Sequence, residues 1–121
     1  MSFENTLTLK NGLDADVTFI RLSDEGTKSF YTRSDSLIGE PINLQLGNTL
    51  APAGLNGNDK ILVKASRVKV DATTGKLDNA VVNFTVSASR RFSTAEILDL
   101  VAHVKSLLIE ANLVRLRRGE V

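Results

Sequence analysis

The stretch from Ala80 to Glu110 constrains the fold of this chain most, because it spells a strand, a hinge and a helix in succession. In AVVNFTVSAS, Val82, Phe84, Val86 and Ala88 alternate with Asn83, Thr85, Ser87 and Ser89. A period of two sends alternate side chains to opposite faces, so the segment reads as a half-buried strand with one apolar face and one face of small polar groups. Arg90-Arg91-Phe92 follows as a basic hinge. Ser93 and Glu96 have the spacing of a capping box, in which the hydroxyl accepts a backbone N–H and the carboxylate reaches back to the cap.

From Ile97 to Ile109, the residues Ile97, Leu98, Leu100, Val101, Val104, Leu107, Leu108 and Ile109 cover roughly half the helical cylinder, wider than the stripe of about 100° that suffices for one core. One sheet face covers only one side of such a helix, and no other long helical pattern exists in the chain. The sequence therefore predicts a second copy over the rest, with Ile97, Leu100, Val101, Val104, Leu107 and Leu108 as the dimer interface.

At 121 residues the chain is expected to be a single domain spanning 1–121, large enough for one sheet and a helix or two. The absence of cysteine removes disulfides and thiolate metal sites. No apolar run approaches the roughly 18 residues of a membrane span, and Met1 to Lys10 lacks the basic start and apolar core of a signal peptide. The expectation is a protein with no membrane partner, not exported by that route.

Net charge is only +1, but it is unevenly distributed. Residues 1–59 hold four Lys/Arg against eight Asp/Glu, whereas residues 60–121 hold eleven against six. An anion-binding face would draw on the second half. The alternative is an ordinary scatter of solvated charges.

Along the chain, Thr6 to Lys10 and Asp16 to Leu22 flank the turn signal Asn11-Gly12 and form an N-terminal hairpin, with Val17, Phe19 and Arg21 sharing a face. After Asp24-Glu25-Gly26, Lys28 to Arg33 is a short strand whose adjacent Phe30 and Tyr31 must lie on opposite faces, so only one is core. Pro41 starts the next strand, where Ile42, Leu44 and Leu46 alternate with Asn43 and Gln45. Gly47 to Asp59, with Pro52, Gly54 and Gly57, reads as a long connection to which Leu50 and Leu55 give an anchor.

Lys60 to Asp71 is a long strand in which Arg67 and Lys69 fall on the side that Ile61 and Val63 keep apolar. Either a bulge resets the register there or the strand runs beyond the core. Thr73 to Asp78 links it to the strand at 80–89. Asn112 caps or breaks the last helix, and Leu113 to Val121 reads as a basic tail.

Five or six antiparallel strands followed by helices define an α+β fold, an N-terminal hairpin and meander sheet with C-terminal helices. Its second sheet face, with Asn43, Gln45, Lys64, Asn83, Thr85 and Ser87, is left open to solvent or a ligand. Small hydroxyl and amide groups interleaved with Lys suit the bases and phosphates of RNA laid across a sheet.

Catalysis finds no support in the residues. There is no Cys, the spacing gives the single His103 no Ser or Asp partner, and the glycines form no phosphate loop. The chain is expected not to be an enzyme and to need no cofactor, metal or small-molecule substrate.

The order of elements, with NGLDADVTF, NDKILVKASRVKV and NFTVSASRRFSTAEILDLVAHVKSLL, resembles the coat proteins of single-stranded RNA bacteriophages, the levivirus family. The resemblance implies a homodimer in which two five-stranded sheets join and each subunit's helices cross the partner's sheet. It further implies a T=3 icosahedral capsid, assembled in the bacterial host cytoplasm, that encloses single-stranded viral RNA. In that family the open face also binds an RNA hairpin and represses translation.

Carried over by position, the RNA-binding residues are Asn43 and Gln45, then Lys60, Leu62 and Lys64, then Asn79, Val81, Asn83 and Thr85. Leu62 and Val81 depart from the polar residues expected there. The loop Thr73 to Asp78 corresponds to one that lines symmetry axes and takes more than one conformation. The alternative is a small non-viral nucleic-acid-binding regulatory dimer that stops at the dimer.

Overall fold

The computed structural model describes residues 4–50 and 57–120, which fall into two compact units, Met1–Ser87 and Ala88–Val121. Six strands form one sheet in chain order: β1 Thr6–Lys10, β2 Asp16–Asp24, β3 Lys28–Arg33, β4 Ile42–Thr49, β5 Asn58–Val70 and β6 Leu77–Ser89. The pairs from β1 through β5 are antiparallel. Two helices follow, α1 Thr94–Leu107 and α2 Glu110–Arg117. This is the α+β meander that the alternation and the capping box predict.

Local chemistry dictates the turns. Asn11 Oδ1 accepts the N–H groups of Leu13 and Ala15 at 2.9 and 3.0 Å, so the β1–β2 turn is closed by its first residue. Asp71 does the same between β5 and β6, taking the N–H groups of Thr73 and Thr74 at 2.8 and 3.4 Å, while Gly75 supplies the left-handed φ of 71° that the loop needs. These backbone donors hold the Asp71 carboxyl below the usual aspartate range, Thr73 contributing most, with slight desolvation opposing them.

The core lies on one face of the sheet. Phe19, Tyr31 and Leu44 are buried, with Leu7, Val17, Ile42, Leu46 and Val63 packed against them. Register brings them together: Leu7 opposes Phe19, Tyr31 opposes Leu44, and Leu46 opposes Val63.

Tyr31 settles which aromatic is core, being fully buried, and its polar tip is satisfied. The hydroxyl donates to the Glu4 carbonyl at 2.7 Å and accepts from Arg21 Nη2 at 3.1 Å, with the guanidinium carbon 5.6 Å from the ring centroid. Arg21 thus joins the apolar face, covering the ring while its charge finds Asp24 at 3.6 Å.

Two expectations change, and the alternative left open at Arg67 is decided for a strand that runs beyond the core. The connection after β4 is shorter than Gly47 to Asp59, because β4 continues to Thr49 and β5 begins at Asn58, with Thr49 paired to Lys60. Pro52, Gly54 and Leu55 lie outside the described residues, and Leu50 is exposed.

No bulge occurs at Arg67. The β4–β5 register runs unbroken from Ile42–Arg67 to Thr49–Lys60, so β5 continues past the start of β4, and the irregularity falls instead in β2, between Arg21 and Ser23.

The basic tail is largely helical, as α2. The break falls at Leu108–Ile109 rather than at Asn112, whose Nδ2 donates to the Leu107 carbonyl at 2.8 Å and satisfies an orphan acceptor at the end of α1.

Candidate nucleic-acid interface

Opposite the core, the same strands present a different chemistry. Residues directly paired across an antiparallel ladder share a face, so the register assembles two rows. Ile20, Thr32, Asn43 and Ser66 form one, and Phe30, Gln45 and Lys64 form the other. Lys28, Gly47 and Leu62 continue the pattern, as do Thr49 and Lys60.

A side-chain hydrogen bond from Asn58 Nδ2 to Ser87 Oγ at 3.3 Å puts Ser87 on the face of Lys60, Leu62 and Lys64. By alternation, Asn79, Val81, Asn83 and Thr85 lie there too. All the RNA-binding candidates therefore share one face: Asn43, Gln45, Lys60, Leu62, Lys64, Asn79, Val81, Asn83 and Thr85. The β6 members are exposed, whereas Asn43, Gln45, Leu62 and Lys64 are half-buried among their neighbours.

Its electrostatics follow from the sequence once the register is known. Over β3 to β6 this face carries Lys28, Lys60 and Lys64 and not one carboxylate; Asp59 and Asp78 alternate to the other side. Lys60 and Lys64 stand four residues apart on one strand, about 13 Å at the usual rise. The result is a shallow positive field over a floor of amides and hydroxyls, suited to a polyanion with hydrogen-bonding bases.

Between the rows lies a cavity of about 170 Å³, with Leu22, Phe30, Asn43, Gln45, Lys64 and Ser66 among its lining residues. An apolar floor with an ammonium, two amides and a hydroxyl around it matches the demands of an unstacked base, which needs a surface to stack on and partners for its edge. Phe30 and Leu22 escape sequence reasoning, whereas alternation along the strand already puts Ser66 on the face of Lys60, Leu62 and Lys64. The only signal for Phe30 was its neighbour Tyr31, and which aromatic faces the core is decided by cross-strand pairing.

The interface candidates on the helices form a second group. Ser93 Oγ accepts Glu96 N–H at 3.2 Å and Glu96 Oε1 accepts Ser93 N–H at 3.1 Å, the capping box read from the sequence. Ile97, Leu100, Val101, Val104 and Leu107 recur at three- and four-residue steps along α1, and Leu108 is its C-terminal cap. None is buried; Leu100 is 61% exposed and Leu107 59%.

His103 does have a partner, contrary to the expectation, in Asp99 one turn away at 3.5 Å, but both are solvated. Among the described residues no group of three or more His, Cys, Asp or Glu is arranged to hold a metal, and no helix is long and apolar enough to cross a membrane.

This sheet followed by two helices is the fold of the coat proteins of levi-like RNA bacteriophages. Over 98% of this chain and 97% of the other, it superposes on the virus-like particle of bacteriophage AVE019 with a TM-score of 0.76 at 15% identity. The virus-like particle of Wenzhou levi-like virus 1 gives 0.69 at 17%, covering 94% and 96%. A bacteriophage RNA-binding dimer, an unassembled virus coat protein dimer, gives 0.56 at 12%, covering 97% and 95%. No family profile and no curated protein sequence matches the chain.

Proposed function

We propose that the protein is a viral coat protein: it dimerises, assembles into an icosahedral shell around single-stranded RNA, and binds an RNA hairpin through its polar sheet face to repress translation. The observation that carries this reading is the gathering of the RNA-binding candidates, with three lysines and no carboxylate over β3 to β6, on the sheet face opposite the core. Shared fold with particle-forming coat proteins and an RNA-binding coat dimer supports it.

In the dimer, the terminal strand β6 pairs with its counterpart, and α1 lays Ile97, Leu100, Val101, Val104, Leu107 and Leu108 on the partner. That arrangement removes a long open edge and covers apolar side chains that one chain leaves in water. Phosphates are held by Lys60 and Lys64, amides and hydroxyls of β4 and β6 read exposed base edges, and Phe30 stacks a base.

Expressing the chain alone and imaging the product tests assembly. Particles enclosing RNA are expected; a monomeric, RNA-free product refutes the proposal. For the RNA face, Lys64→Ala should weaken binding several-fold and reduce the slope of log affinity against log salt by about one phosphate contact, while dimers persist. An unchanged salt titration would remove Lys64 from the site.

A further inference from the structure

Successive connections of an antiparallel meander alternate between the two ends of the sheet. The β1–β2 turn, the loop at 34–41 and the β5–β6 turn therefore share one end. Two hydrogen bonds tie the 34–41 loop to the last residues of β5: Val68 N–H to the Pro41 carbonyl at 3.1 Å and Val70 N–H to Glu40 Oε1 at 3.0 Å.

At this end, large apolar side chains face water. Ile38 is fully exposed, Leu37 is 67% exposed and Leu13 88%. Lone exposed aliphatic residues are ordinary, but Leu37 and Ile38 are adjacent and their loop is pinned. Ser36 N–H and Oγ both donate to the Arg33 carbonyl, at 3.1 and 2.6 Å. Arg33 Nη2 reaches Asp35 Oδ2 at 3.0 Å, and Glu40 N–H closes onto the Leu37 carbonyl at 3.1 Å. The loop holds the pair in water.

RNA does not suit this loop, whose tip offers aliphatic carbon between Asp35 and Glu40 and no cation. A lipid surface suits it no better, since membrane-binding segments surround a larger apolar face with basic residues. A second copy does. The dimer contacts proposed above use β6 and the helices and leave this sheet end uncovered. A closed shell needs a further, heterologous contact besides its two-fold one. We propose that Leu37 and Ile38 make that contact, docking on a neighbouring dimer. The inference rests on the shell reading.

The test is in vitro assembly of purified dimers of wild type, Ile38→Lys and Ile38→Val, with folding followed by circular dichroism and particles by light scattering and microscopy. Ile38→Lys should keep wild-type dimers and spectra while raising the concentration needed for particles by roughly tenfold or more, the scale expected when an isoleucine loses its burial at a contact. Ile38→Val should assemble close to wild type.

Wild-type particles with an unaffected Ile38→Lys overturn this contact alone. A lysine variant that loses the dimer would move the loop into the two-fold interface and overturn it too. A wild-type chain that stays dimeric refutes the shell and this contact together.

Discussion

The sheet unit and the helical unit satisfy their apolar residues in opposite ways. In the first, pairing between strands gathers Phe19, Tyr31 and Leu44 into a core with its polar tip bonded, so the fold closes on itself along one strip. In the second, the start and the end of α1 are fixed by the Ser93–Glu96 box and the Asn112 clasp, yet neither helix buries a single residue. Local order does not imply a local core. Here the start and the end of α1 are specified by nearby residues while the leucines of both helices stay exposed.

The contrast is open to attack from both sides. Tyr31→Ala should do most damage, about 3–5 kcal/mol, since it empties a fully buried site and strands Arg21 over a void; urea denaturation of the dimer reads the loss. If the variant unfolds like wild type, the sheet has no independent core.

Val104→Asp tests the other unit. It should preserve helical dichroism while weakening dimerisation by about 2 kcal/mol or more, visible as a dissociating species in sedimentation. A tight dimer would show that this face is not the interface.

Ser93→Ala should cost about 1 kcal/mol, within the usual range for a lost N-cap, and should fray α1 without changing the sheet; amide exchange at residues 94–97 would register it.

Smallest is the effect of acid on the β5–β6 turn. Because the folded-state pKa of Asp71 is lowered, its stabilising contribution is complete above the unfolded aspartate value of about 3.9 and is lost as pH falls through the folded pKa. Thr73 and Thr74 amide signals should move only in that low range, and Asp71→Asn should abolish the titration.

Much of this is legible in the amino-acid sequence. Alternation in 82–89, the Asn-Gly turn and the capping box each rest on chemistry within a few residues, and they name the strands, the helix and its start. Pairing was not legible. Phe30 and Tyr31 are equivalent to any local rule, and only Tyr31–Leu44 against Phe30–Gln45 sends one to the core and the other to the polar face. Arg67 was ambiguous for the same reason: whether a charged residue ends a core or marks a bulge depends on where the neighbouring strand begins. Of the two roles open to Asn112, cap or breaker, the structure shows the first: its amide caps the end of the preceding helix.

The Tyr31–Glu4 bond has a consequence for the order of folding. Each strand hydrogen-bonds to strands next to it in sequence, so hairpins need little loop closure and the sheet zips from any of them. The Tyr31 hydroxyl instead reaches back 27 residues, to a carbonyl ahead of the first strand. It forms only when three strands are already aligned, and so acts as a latch on a finished meander rather than as a nucleus for it.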